Sequence, residues 1–497
     1  MTLILLLFFN LFIAPHIQPK SVDAPPVIKN LIRYYQQSNT LKHGQWSIYA
    51  EYVDTGKPII SYHSTESLAP GSGLKVFTTS IALNELGPNY RYKTRLYYDG
   101  ALSQDSVLHG NIYIEGGGDP TLGSNMVHGS LPLDSLMESW TLALKKAGIS
   151  KIDGAVIADN TLFDSQTVPN YWEYMDIGNY YGAGVNALSI HNNLYKLYFK
   201  PGKKQGDKAE IIGMKPKIPG LHFTNYMKTG FPGSGDQGYI YCAPRQMNAV
   251  ARGTVPAGVP EFSIKGSIPD PALFAAQYFT HWLKKNGLEV TGKSNLLLKS
   301  RSYKSATLIT TTYSPTLKDI VYMTNKKSDN LYAETLLKTL ALQRTLYSTT
   351  KSGTKYILKY LKRHHITTNG LILYDGCGLS RTDAITTKAM VQLLRFMTKQ
   401  SAFKDFYRSL AIVGDLHDIG YFREYGRHTI LANNARIKSG LITGARSHSG
   451  YLRDRAGRLI AFSMIANNFK GSYLRIDHIH KKIMLALANL DQKSKAE

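Results

Sequence analysis

At 497 residues the chain is too long for one core and implies two to four domains, and its 43% hydrophobic content is that of a globular protein. Two cysteines exclude a disulfide framework and a cysteine-rich structural zinc site; two buried thiols, Cys242 and Cys377, are expected instead. The formal net charge of +24 favours an anionic partner or surface, but the basic residues are spread along the chain and no nucleic-acid recognition motif stands out, so no nucleic-acid partner is expected. Residues 2–14 are almost continuously apolar, the length of a signal-peptide core and too short to span a bilayer. We read residues 1–22 as a signal peptide and expect export; an uncleaved anchor is the alternative. Residues 46–53 and Pro58–Tyr62 read as a strand pair, followed by the break at Pro70-Gly71 and an apolar helix through Leu83. Residues 91–305 are rich in short strands, glycine and proline, with strands expected at 107–108, 110–114 and 154–158. A helix is expected at Pro271–Lys285 with Asp270 as its N-cap. Helices follow near 315–343, 352–363 and 387–399, then strands between 435 and 467. Ile476, Ile479, Ile483 and Leu487 mark a last amphipathic helix over 475–490. Its basic face, Lys481 and Lys482, leaves peripheral membrane contact open, although a solvated face is the plainer reading.

Three short motifs occur in order: Ser72-Gly-Leu-Lys75, Ser328-Asp-Asn330 and Lys438-Ser-Gly440. S-x-x-K, S-x-N and K-[ST]-G are the pieces of a site that uses serine as nucleophile and lysine as base. Alone, each is weak. S-x-x-K recurs at Ser348, Ser352 and Ser401, and K-[ST]-G recurs at Lys228 and Lys351. Context separates them. Only Ser72 opens an apolar helix, where a lysine is out of place unless it has a task or a partner. Ser348 and Ser352 open a basic, solvated helix. Lys438-Ser-Gly440 sits between Ile437 and Leu441 in a strand-like stretch, whereas Lys228 runs into a turn-rich loop. The chemistry needs these types. A serine hydroxyl needs a base, and lysine serves if desolvation and a nearby cation, here Lys438, lower its pKa. The N–H groups of Ser72 and Leu441 suit an oxyanion. Ser328 can relay a proton, Asn330 can fix Lys75 and a substrate amide, and Lys438 with Ser439 can hold a carboxylate, with Gly440 and Leu441 lining the strand edge.

Three further segments accompany the motifs: Glu115-Gly-Gly-Gly-Asp-Pro-Thr-Leu122, Trp172-Glu-Tyr-Met-Asp-Ile-Gly-Asn-Tyr-Tyr-Gly-Ala183 and Asp375-Gly-Cys-Gly-Leu-Ser380. With them the chain, from about residue 30 to about 490, resembles the D-alanyl-D-alanine carboxypeptidase/endopeptidase family, the class C low-molecular-mass penicillin-binding proteins. The resemblance implies an α/β (mixed α+β) architecture. A transpeptidase/β-lactamase-like catalytic domain, with an antiparallel sheet flanked by helices, would be built from residues 27–90 and 306–490, with two nested β-rich accessory domains inserted at 91–305. It implies a periplasmic serine DD-peptidase acting through a Ser72 acyl-enzyme on peptidoglycan stem peptides, with β-lactams as covalent inhibitors, no cofactor and no metal. It also implies that Asp176 faces the amino group of the substrate's diamino acid. Three positions depart from the family pattern. Leu441 replaces a hydroxyl-bearing residue that helps hold the substrate carboxylate, Cys377 stands in the family's G-S-G, and Gly73 should loosen the helix start. The alternatives are a β-lactamase, which would deacylate fast, and a muropeptide-binding protein with attenuated turnover, for which Leu441 is the suggestive feature. The sequence carries no signal of an oligomeric state.

Overall fold

The computed structural model describes residues 23–343 and 348–491. The expected signal segment, residues 1–22, lies outside them. Among the described residues no helix is long and apolar enough to cross a membrane.

Six antiparallel strands organise the first domain, in the order Ala411–Ile412, Arg436–Ile442, Ala445–Arg453, Leu459–Asn467, Gln45–Tyr52, Pro58–Tyr62. The near-continuous apolar run of Leu459–Asn467 follows from its central place, since both faces of the sheet are covered. On one face pack the helices Lys75–Leu86, Thr350–Arg363 and Thr387–Met397, through Phe77, Ile357 and Leu394. On the other lie Pro26–Gln36 and Tyr473–Ala488, which bury Ile32, Ile476 and Ile483 against Trp46 and Phe462. Lys482 is left exposed and Lys481 half-buried beside Tyr425.

The insert is nested. Its outer part has a five-stranded sheet in which the first and last strands of the insertion are neighbours, since Lys93–Tyr98 pairs with Thr307–Tyr313. Sequence reading placed 306 at the return to the catalytic domain. The pairing moves that return beyond residue 313, because the insert closes its sheet by joining its first and last strands. The helix Pro271–Lys285 packs on this part, and the Asp270 side chain accepts the Leu273 N–H as the expected cap. The inner part, between residues 194 and 267, consists of two three-stranded sheets. Both cysteines are free and buried.

Candidate active site

Ser72 lies in a 3-10 turn, Gly71–Leu74, which leads into the Lys75–Leu86 helix; sequence reading put it in the first turn of an α-helix. The tight turn is pressed against the Arg436–Ile442 strand. A side-chain carbon on Gly440 would lie 1.9 Å from the Pro70 carbonyl oxygen and 2.6 Å from the Gly73 nitrogen, and one on Gly73 would lie 2.7 Å from Ser447 Oγ. Gly73 is therefore not a loosened helix start. It leaves room for the Ser447 hydroxyl, while Gly440 lets the first and third motifs meet backbone to backbone.

The second motif is placed by a break. The helical stretch expected near 315–343 is two helices, Leu317–Lys327 and Asn330–Leu342. Ser328 ends the first in a left-handed conformation (φ 58°, ψ 39°), and Asp329 caps the second by accepting the Tyr332 N–H at 3.0 Å. A non-glycine residue held there stores about 1–3 kcal/mol of strain, as active sites often do.

The three motifs converge. Lys75 is fully buried, and its Nζ lies 3.0 Å from Ser72 Oγ, 2.5 Å from Asn330 Oδ1 and 2.8 Å from the Cys377 carbonyl oxygen. A neutral amine has two N–H groups and one lone pair. Asn330 Oδ1 and the Cys377 carbonyl can only accept, so they take the two N–H groups and leave the lone pair to the Ser72 hydroxyl. Burial, the largest effect, lowers the Lys75 pKa, against the opposing pull of the acidic groups Cys377, Asp375, Asp329 and Glu334 around it. Lys438, also buried, donates to Ser328 Oγ at 2.9 Å and to the Ser439 carbonyl at 2.8 Å. Its pKa is held well below the lysine range by burial first, then by Lys75 and Arg446. The sequence reading gave Lys438 the part of the cation that lowers Lys75. Burial is the first cause of lowering at both lysines, and the repulsion between them works in the same direction.

Leu441 projects its side chain into solvent, at 43% exposure. Its peptide is fixed from behind. Gly440 pairs with Ser447 on the neighbouring strand, and the Gly440 carbonyl also accepts from Arg446 at 3.4 Å. The carbonyl and N–H of one trans peptide point in opposite directions. The Leu441 N–H is thus aimed away from that strand, toward the Ser72 turn. Arg446 is buried and clamped by Asp477 at 2.5 and 3.0 Å. Behind it, Trp46 donates to His480 Nε2 at 3.0 Å, so His480 carries its proton on Nδ1 and donates to His448 Nδ1 at 2.8 Å. The His448 proton is then on Nε2, 3.5 Å from Asp477. Burial keeps both imidazoles neutral, His480 pushed down to about 3.

Asp176 lies on the short helix Tyr174–Ile177 of the strap 172–183, half-buried, and accepts the Tyr181 hydroxyl at 3.1 Å. Burial raises its pKa. The strap touches the centre through Tyr181, whose carbonyl accepts the Asn330 amide at 2.8 Å. Ser439 is half-buried at the strand edge.

Sequence reading missed the acidic floor. Asp375 takes the N–H groups of Cys377, Gly378 and Ser380 and the Trp172 indole, and Glu334 takes the Gly376 N–H at 2.7 Å. These bonds shape the loop that presents the Cys377 carbonyl to Lys75. Glu334, Asp375 and Cys377 bring ligand-type atoms within 4.8 Å of one another. Burial, and after it the neighbouring Asp375, pushes the Glu334 carboxyl up to about 8. The signal was a lone carboxylate in the apolar helix after Asn330. Asp418 is buried, 2.5 Å from Lys326, and accepts the Ile412 N–H. The decoys have structural work. Ser348 Oγ donates to the Lys338 carbonyl, Ser352 completes a capping box with Thr349, and Lys228 lies in a strand of the insert.

The D-Ala-D-Ala carboxypeptidase 3 (S13) family profile matches residues 27–490. The chain belongs to that family. Among its relatives, the D-alanyl-D-alanine carboxypeptidase of Actinomadura sp. (strain R39) is 26% identical over 84% of this chain and 76% of its own. The D-alanyl-D-alanine carboxypeptidase DacB of Haemophilus influenzae is 23% identical, over 84% and 85%. The crystal structure of penicillin binding protein 4 (dacB) from Haemophilus influenzae superposes with a TM-score of 0.79 at 22% identity, covering 93% of this chain and 99% of that one. The same protein complexed with a β-lactam gives 0.75. The family's fold, a sheet flanked by helices with an insert, is the fold of this chain, as the sequence motifs led us to expect.

Proposed function

We propose that this family member is an exported serine D-Ala-D-Ala carboxypeptidase that also cuts cross-links as an endopeptidase, with peptidoglycan stem peptides as substrates and β-lactams as covalent inhibitors. The observation that carries the reading is the position of Lys75, whose Nζ lies 3.0 Å from Ser72 Oγ with its other two contacts to pure acceptors, so that the neutral amine has its lone pair for Ser72. In this reading Lys75 takes the Ser72 proton as Oγ attacks the carbonyl of the penultimate D-Ala. The N–H groups of Ser72 and Leu441 hold the oxyanion. Ser328, bonded to Lys438, gives its hydroxyl proton to the departing amine as the C–N bond breaks and is reprotonated with the proton that Lys75 took, which leaves a Ser72 ester and a neutral Lys75. Water then adds to the ester and releases the shortened peptide, and the Ser72 hydroxyl regains its proton. Lys438 and Ser439 take the terminal carboxylate, with Gly440 allowing the strand edge to approach. Asp176 takes the amino group of the diamino acid, a role supported by its place in the strap that reaches Asn330. Relatives named carboxypeptidases and a β-lactam complex of a similar structure support the class of reaction. Incubation with purified pentapeptide monomers and cross-linked dimers, with products identified by mass spectrometry, tests it. Release of D-Ala and of monomers is expected; intact substrates after prolonged incubation would refute it.

A further inference from the structure

Three lysines from three adjacent strands stand side by side on the inner part of the insert. Lys215 of Glu210–Lys215 pairs with Lys196 of Leu194–Lys200, and Lys196 pairs in turn with Lys265 of Phe262–Ser267. Directly paired residues project from the same face of a sheet. All three lysines are exposed, while their neighbours Tyr195, Leu197 and Ile264 are buried. Like charges placed opposite one another weaken a sheet. Among the described residues no carboxylate lies at ion-pair distance from any of the three; Lys265 acts on the Asp236 carboxyl only from farther off.

The row lines a cleft of about 670 Å³. A second cleft of about 600 Å³ adjoins it, sharing Asp134 and Tyr278, and adds Lys217 and Lys285. Asp134 is the one acidic side chain lining either cleft among the described residues, and it is occupied by the Tyr278 hydroxyl at 2.7 Å. Unneutralised cations gathered along concave walls focus their field on the space between them.

The row is also tied to the reaction centre. The Lys265 ammonium lies over the Tyr180 ring at 5.2 Å. Two residues beyond it, Ser267 donates its N–H to the Gly178 carbonyl at 2.9 Å and its hydroxyl to the Ile177 carbonyl at 2.8 Å. Those groups belong to the strap whose Tyr181 carbonyl meets Asn330.

We propose that this double cleft is a second binding site, which holds the free carboxylates of a stem peptide neighbouring the one being cut. The proposal rests on the peptidoglycan reading above. The basic residues lining the clefts are lysines and two histidines, His191 and His281, with no arginine. Lysine is a point charge that suits separate carboxylates, whereas arginine is the usual choice for phosphate forks. Neighbouring strands are about 4.8 Å apart, so the row spreads its three charges over roughly 10 Å, the scale of a short acidic peptide.

The test compares wild type with the triple variant Lys196→Ala/Lys215→Ala/Lys265→Ala, whose changes are all at exposed positions. Each protein is sedimented with insoluble peptidoglycan, native or with its carboxyls amidated, and is also assayed for acylation by benzylpenicillin and for cleavage of a short N-acetylated peptide ending in D-Ala-D-Ala. At low salt, wild type should be retained at least about tenfold better than the variant on native wall, and amidation should erase the difference. Acylation and short-peptide cleavage should be the same in both. Equal retention on native wall overturns the proposal. So does a difference that survives amidation and is displaced by polyphosphate or single-stranded DNA, which would assign the row to a phosphate polymer. A wild type that is neither acylated nor able to cut the short peptide would refute the function reading, and sedimentation would still be read on its own.

Discussion

At the scale of single residues the account depends on which groups can give up a proton. Lys75→Arg keeps the charge and the reach but cannot act as a base, so acylation by a fluorescent penicillin should fall by about 10²-fold or more. Near-normal labelling would reduce Lys75 to an electrostatic or packing role. The sign of the pH dependence follows from the direction of its shift. Burial lowers the Lys75 pKa, so the neutral amine appears, and acylation should rise, at pH values below those at which an ordinary lysine loses its proton. Leu441→Thr bears on the family departure. The leucine is 43% exposed, so only part of its packing is lost. One added hydrogen bond to the substrate carboxylate is worth about 1 kcal/mol, roughly fivefold, and should show mainly in KM for pentapeptide, less for cross-linked dimers. An unchanged or poorer KM would make the leucine a fitted part of the site. Much of this chemistry was legible in the sequence. Ser72, Lys75, Ser328, Asn330 and Lys438 carry their types and order in plain view, and the structure brings them together. The carbonyls of Cys377 and Tyr181 were not legible, because a backbone acceptor has no residue signature.

Among elements, the strand that carries Lys438 is fixed by a polar stack between the Ala445–Arg453 strand and the Tyr473–Ala488 helix. Arg446 and Asp477 are both nearly buried, at 3% and 7% side-chain exposure. Breaking such a pair from one side leaves an uncompensated charge, so Arg446→Met should cost about 3–5 kcal/mol in denaturant unfolding. Arg446→Met/Asp477→Leu should recover at least half of that loss. A double variant as unstable as the single one would show that Arg446 acts through packing and not through Asp477. The sequence showed this helix by its apolar period, Ile476, Ile479, Ile483 and Leu487, yet the same period hid Asp477 and His480, which share the buried face. Pro271–Lys285 was read correctly because a cap and a proline are local signals. Thr307–Tyr313 was assigned to the wrong domain because strand pairing across the whole insertion is not local.

For the whole molecule, the insert is joined to the centre by the strap 172–183. Asn179 is the rivet: its Oδ1 accepts the Ile240 N–H at 3.0 Å and its Nδ2 donates to the Met175 carbonyl at 2.6 Å. Asn179→Ala should loosen Asp176 and Tyr181 together. We expect kcat/KM for natural stem peptides to fall about tenfold while penicillin acylation, which needs less of the strap, changes little. Equal losses on both would mean that the strap supports the reaction itself and not the choice of peptide. The central claim, that Ser72 is the nucleophile of a site built from three distant motifs, has one direct test. The protein is incubated with benzylpenicillin and its intact mass is measured, followed by peptide mapping, alongside Ser72→Ala. The account predicts one penicilloyl adduct, on the peptide containing Ser72, and none on the variant. An adduct on any other serine, or one that survives in Ser72→Ala, would contradict it.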